Sequence, residues 1–274
     1  MSHADPAGMT PGGARDIAAL VALLLTAGCG QPTEAPGSDA PVNSGSVESI
    51  VPPPPAPLPP LDRAGLLAAA SEAADATAAS RPLPEGNRAL IGRSFQIRLP
   101  FGCSGPMTEP LSTWAGWSYD PNAGSLKLSA SNQFVDLPAW LPSVTGDQQI
   151  DAAEGFWIER PWTSSEACSQ GEQPGAADPL RRTLGVVQFF EPDAPRTIQR
   201  GARPYTATKK LETPPEGVTY RLALSGRIVG FADRQPVKCW NEADRLPPVC
   251  LISVEISRTA FENSNGDILS EWRR

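Results

Sequence analysis

Histidine is almost missing from this chain: of 274 residues, only His3 carries an imidazole. Ser-His-Asp and Cys-His catalysis, and metal ligation through histidine, are therefore excluded for any form that has lost its first few residues. Lysine is nearly as scarce, at Lys127, Lys209, Lys210 and Lys238 only, so most of the 23 basic residues are arginine. The first 94 residues lack aromatics altogether; all 7 Trp, 8 Phe and 3 Tyr lie at or beyond Phe95. An Ala- and Pro-rich stretch without aromatics cannot bury enough apolar surface to offset its ordering entropy, which places the folded part in the last two-thirds. Positive charge is not in excess either. With 23 basic against 30 acidic residues the net charge is -7, which argues against a nucleic-acid partner. Neither a phosphate loop nor a dinucleotide fingerprint occurs, and no cofactor is expected.

What the first third does contain is ordered. Residues 17–27 read I-A-A-L-V-A-L-L-L-T-A, an apolar run of 11 with Arg15 just before it. That is too short to cross a ~30 Å hydrocarbon core as a helix, but it is the length of the apolar core of a secretory signal peptide. The run ends in Leu25-Thr26-Ala27-Gly28-Cys29, small residues leading to a Cys. Here the chain resembles bacterial lipoprotein precursors. The resemblance implies a signal peptide over 1–28, cleavage before Cys29, a diacylglycerol on its thiol and acylation of the new amino terminus. Two or more acyl chains hold a protein stably where one holds it marginally. The implied partner is thus the membrane, through Cys29. Gly30, rather than Asp, implies an outer-membrane position facing the periplasm. Thr26 stands where Leu is commoner and Asp16 offsets Arg15. A start at Met9 rather than Met1 would shorten the leader. The plainer alternative is an ordinary cleaved signal with Cys29 incidental.

Residues 30–61 hold ten prolines, including Pro52-Pro53-Pro54-Pro55. With Cys29 they read as a tether (29–61), coil first and polyproline II second, spanning roughly 30 Å relaxed and up to about 100 Å extended. A ligand for an SH3-type partner is the alternative to a spacer. Residues 62–81 read as one Ala-rich helix with Asp62 as N-cap; its stripe is only Leu66, Leu67 and alanines, so it either packs on the domain or frays.

From residue 88 to 274 strand patterns dominate. Candidates are 91–99, 116–120, 125–130, 156–160, 183–191, 205–211, 218–232, 249–261 and 267–272. Cys250, Ile252, Val254 and Ile256 alternate with Leu251, Ser253, Glu255 and Ser257. Apolar residues of both parities in 183–191 mark a strand buried on two sides. Gly226 and Gly230 inside one long strand predict a bulge. The expected fold is all-β, a single sandwich or a partly closed barrel of about nine strands.

Five cysteines is an odd number, and the lipobox accounts for Cys29. Cys239 and Cys250 end one strand region and begin the next, so they are expected to bridge a hairpin base; Cys103 then pairs with Cys168 by elimination. The absence of any Cys-x-x-Cys and the lack of histidine speak against zinc, and no metal site is expected.

Catalytic candidates are few. Thr206-Ala-Thr-Lys209 fits the bare S/T-x-x-K string of penicillin-recognising enzymes, but their companion motifs are missing and a strand is the wrong setting. Asn263, Asn265 and Asp267 with Gly266 share residue types with a calcium loop yet lack its acidic start and distal Glu, which leaves a hairpin turn. Glu154 and Glu159, near Trp157 and Trp162, could serve glycoside hydrolysis if they faced each other across a cleft. No residue is assigned a catalytic role. Trp114, Trp117, Tyr119, Trp140, Trp157 and Trp162 gather within 49 residues. Of these, Trp114, Trp117, Tyr119, Trp157 and Trp162 are the candidate ligand platform, against the competing role of filling a small β core. The expectation is a lipid-anchored envelope protein with a non-enzymatic binding or structural domain and an unknown protein or glycan partner. The alternative is a peptidoglycan- or polysaccharide-binding module, or a carboxylate-based glycosidase.

Overall fold

The computed structural model describes residues 56–107, 113–136, 140–168, 182–195, 197, 199–215, 219–243 and 245–274. Residues 1–55, where a signal peptide, Cys29 and most of a tether are expected, lie outside the described residues. A single compact unit covers Pro55–Arg274. Among the described residues it holds three helices, α1 (Arg63–Ala78), α2 (Glu85–Arg88) and α3 (Leu141–Thr145). Ten strands follow the order β1 (Ser94–Phe101), β2 (Ala115–Asp120), β3 (Ser125–Ala130), β4 (Ala152–Trp157), β5 (Leu184–Phe190), β6 (Tyr205–Lys210), β7 (Tyr220–Ile228), β8 (Val237–Trp240), β9 (Val249–Asn263) and β10 (Ile268–Arg273).

The strands form a seven-stranded sheet with the path β1-β7-β9-β5-β4, to which β8 and β10 add through β9, and a three-stranded sheet β2-β3-β6. The fold is sandwich-like and all-β; no closed barrel forms. β9 is the spine. Its first residues pair with β5 in parallel (Leu184↔Cys250 to Val187↔Ser253) and with β8 (Val237↔Ile252 to Trp240↔Val249). Its later ones pair with β7 and with β10. Since a strand has two hydrogen-bonding edges, β7 and β8 succeed each other along one edge of β9, and β5 and β10 along the other.

The alternation of β9 decides what lies on each face. Cys250, Ile252, Val254 and Ile256 enter the main core with Phe95, Ile97, Leu99, Phe156, Leu222, Leu224 and the inward residues Leu126, Leu128 and Tyr205 of the small sheet. Val249 and Leu251 face a second cluster with Phe134, Val144, Trp157, Val187 and Phe231. β5, buried on both faces at Val186 and Val187, sits between β9 and β4 as its two apolar parities require.

α1 packs rather than frays. Asp62 accepts a hydrogen bond from the Gly65 N–H at 2.9 Å, as an N-cap does, and Leu66, Ala70 and Ala73 join the main core. The helix therefore belongs to the folded body, which starts well before residue 88. Strand β8, four residues long, carried too little pattern to be expected. The bulge is present, with a shift: the register jumps between Ser225 and Gly226, and the extra residue is Ser257 on β9, opposite. A Cβ on Gly226 would stand 1.9 Å from the Glu255 carbonyl oxygen. That close approach is what glycine permits.

Candidate functional site

The bulge opens a gap along β9 between the end of the β5 ladder at Ser253 and the start of the β10 ladder at Arg258. Two main-chain groups of β9 have no ladder partner there. The Ile256 N–H donates to Gln188 Oε1 at 2.9 Å, and the Ser257 carbonyl accepts from the Arg274 N–H at 3.0 Å. Gln188 is the cross-strand partner of Glu154 on β4, which is fully buried. A buried carboxylate has to be paired. Tyr205, opening β6 in the other sheet, donates its hydroxyl to Glu154 Oε1 at 2.5 Å, and Arg274 ion-pairs with Glu154 Oε2. Arg274 also donates to the Tyr205 hydroxyl at 3.1 Å and to Gln188 at 3.2 Å, and Thr259 donates to the same hydroxyl at 3.3 Å. This network ties the two sheets together.

The surroundings shift the groups in a consistent way. Burial, then the Glu154 charge, pushes the Tyr205 phenol up to about 12, so it stays protonated and donates. Burial pulls the Arg274 guanidinium down, but the Glu154 charge and the hydrogen bonds more than offset it, and the net direction is upward.

Above the network lies a cavity of about 190 Å³ lined by Arg200, Arg203, Arg258, Arg273 and Arg274 with the rings of Tyr205 and Trp272. The Arg200 guanidinium lies 4.0 Å from the Tyr205 ring centre and 5.8 Å from that of Trp272. Its Nη2 donates to the Pro204 carbonyl at 2.9 Å, and that of Arg203 to the Gln199 carbonyl at 2.8 Å. Arg258 and Arg273 stand directly opposite each other in the β9–β10 ladder, a repulsive placement. Glu271 lies between them, accepting from each at 2.5 Å, and these two bonds hold its carboxyl below the usual range. Among the described residues, the carboxylates paired with the five arginines are Glu154 and Glu271. Arg258, Arg273 and Glu271 share one face of the β9–β10 ladder and Thr259 and Trp272 the other, so on the Tyr205 side Arg200, Arg203 and Arg274 less Glu154 leave two positive charges, in a chain whose net charge is -7.

The residues singled out from sequence fall elsewhere. Cys103 is bonded to Cys168 and Cys239 to Cys250, the latter pair facing each other directly across β8 and β9. Trp117 is buried against Tyr220, edge to face, with its Nε1 donating to the Gly102 carbonyl at 3.4 Å. Trp114 and Tyr119 are half-buried on the same core, and Trp114 Nε1 donates to Glu159 at 3.3 Å. Trp157 belongs to the second core, 4.9 Å from Phe134 between ring centres. Only Trp162 of the five is exposed, at 63%. They do not line one cleft. Trp114, Trp117, Tyr119 and Trp157 pack into two cores on opposite faces of the seven-stranded sheet, where buried area favours large rings.

The carboxylate pair is likewise separated. Glu154 lies within β4 and is committed to Tyr205 and Arg274, whereas Glu159 lies beyond the end of the strand and accepts from Trp114. Thr206 and Lys209 lie three apart on β6, an odd spacing that sends them to opposite faces. Asn263 Oδ1 accepts from the N–H groups of Asn265 and Asp267 at 3.0 and 2.9 Å, which is the work of a hairpin turn. Among the described residues no cluster of three or more His, Cys, Asp or Glu could hold a metal ion, and no helix is long and apolar enough to cross a membrane.

The arginine pocket was not foreseen. Its residues are spread over positions 200 to 274, and no spacing rule joins them. The one local signal, Arg200 with Arg203 and Arg273 with Arg274, is too common to single out. Compared with protein-family models, curated proteins and solved structures, the chain matches none of them.

Proposed function

We propose that this chain is an exported lipoprotein of the bacterial envelope, anchored through acyl chains on Cys29, whose β domain works by binding. The observation that carries the reading is Leu25-Thr26-Ala27-Gly28-Cys29 at the end of an 11-residue apolar run. Two disulfides within the domain support an oxidising compartment. The Pro-rich segment 30–61 acts as the spacer, and Gly30 favours the outer membrane. Binding rather than covalent chemistry follows from the side chains at the site: arginines, a protonated phenol and two carboxylates already ion-paired, with no imidazole beyond His3.

The test is metabolic labelling with an alkyne palmitate analogue in a bacterial host. The full chain is expected to take up label and to fractionate with outer membranes, and Cys29→Ser to do neither. Label retained on Cys29→Ser would defeat the proposal.

A further inference from the structure

We propose that the arginine-lined cavity between β6, β9 and β10 is a binding site for a phosphate-type oxyanion. The inference deepens the binding reading by naming its site and ligand chemistry, and it does not depend on the lipid anchor. Charge carries it first. Arg200, Arg203 and Arg274 line about 190 Å³ on the Tyr205 side with one carboxylate, Glu154, paired to them, and this net positive charge sits on a chain that is acidic as a whole. Like charges brought together repel, and an anion among them relieves that cost.

The arginines are also held ready. Arg200 and Arg203 are fixed through main-chain carbonyls, which orient a guanidinium without neutralising it. Arg200 is further seated on the Tyr205 face, and that ring is locked from below by Glu154, Thr259 and Arg274. Guanidinium N–H groups fork toward the oxygens of a phosphate or carboxylate, and several around one centre suit the three acceptor oxygens of a phosphate group better than the two of a carboxylate. Size narrows the ligand. Sites for drug-sized molecules run to roughly 300–1,000 Å³, so this one takes a single anionic group and leaves the remainder of its carrier outside. A soluble phosphate and a phospholipid headgroup present the same chemistry.

The experiment uses the full chain with Cys29→Ser, so that no acyl group contributes to membrane binding. Titration with inorganic phosphate by calorimetry is expected to show saturable binding that weakens as salt is raised. Arg200→Ala combined with Arg203→Ala is expected to lower the affinity at least roughly tenfold. Arg245→Ala, outside the cavity, is expected to leave it unchanged, and near-ultraviolet circular dichroism checks the fold. Should the double variant misfold, Arg203→Ala alone serves, since its bonds are local. Co-sedimentation with phosphatidylglycerol vesicles against phosphatidylcholine vesicles separates the sources. Sedimentation competed away by phosphate assigns a lipid headgroup; phosphate binding without sedimentation assigns a soluble ligand. Absence of both, or either one persisting unchanged in the arginine variant, overturns the proposal. Palmitate labelling of the unmutated chain is independent of every one of these outcomes, so the two readings fail separately.

Discussion

Glu154 shows how much of a site can depend on one residue that looks ordinary in sequence. It reads there as a strand carboxylate close to Trp157; its partners Tyr205 and Arg274 stand 51 and 120 positions away, beyond any local pattern. Replacing Glu154 by Leu removes the buried half of a part-buried ion pair and leaves the guanidinium of Arg274 without its carboxylate. The expected cost is about 3 kcal/mol, read from the urea midpoint. The Tyr205 phenol offers a second reading of the same contact. Its folded value of about 12 lies above the free value of about 10, so the folded state holds this proton more tightly. That contribution to stability is complete below pH ~10 and is lost as pH rises through about 12. Tyrosinate absorbance should show an ionisation near pH 12 in the folded chain, moving downward in Glu154→Gln because the carboxylate charge is gone. A folded protein in which every tyrosine ionises by pH ~10 would contradict this.

At the scale of elements, α1 was the most legible piece, since an N-cap and a run of alanines are local properties. What its sequence does not announce is why so thin a stripe suffices. Small alanines let the helix come close enough for the Ala70 carbonyl to meet Cys250 Sγ at 3.8 Å, and Arg63 binds the far loop. Its buried guanidinium donates to the carbonyls of Glu159, Arg160 and Thr163 at 2.5, 3.0 and 2.8 Å, while burial and the Arg160 charge draw its pKa down. Arg63→Met is expected to cost about 3 kcal/mol and to make the loop carrying Trp162 sensitive to protease. The strand expected over 91–99 is β1, Ser94–Phe101, and its guarded edge is not legible in sequence. The Gln96 N–H donates to the Leu61 carbonyl, the Arg98 N–H to Glu166, and Pro100 has none to offer. Gly226 was flagged for a bulge, and only the pairing reveals that the extra residue lies on β9. Gly226→Ala should cost roughly 2–3 kcal/mol by denaturation, because the contact is with main chain and neither side can yield cheaply.

For the molecule as a whole, fold class was readable and strand order was not. Alternation reports burial on each face, whereas β1-β7-β9-β5-β4 is fixed by pairings between distant segments. The short elements β8 and α3, the latter with Pro142 in its first turn, escaped because four or five residues hold less than one clear period. The disulfides act at this scale. Cys103 and Cys168 are 65 residues apart, Cys239 and Cys250 only 11. In the chain-entropy model these close to about 4 and about 3 kcal/mol. Replacing Cys103 and Cys168 together by Ser should therefore lower the denaturation midpoint more than the same change at Cys239 and Cys250; the reverse order would show that native-state contacts outweigh the loop term. The position of β9 has a temporal side as well. It borders β5, β7, β8 and β10, yet eight strands precede it along the chain. A polypeptide that emerges N-terminus first has no spine for the large sheet until β9 appears. β1 with β7 and β4 with β5 can pair before then, but the large sheet is joined only in one late, cooperative step.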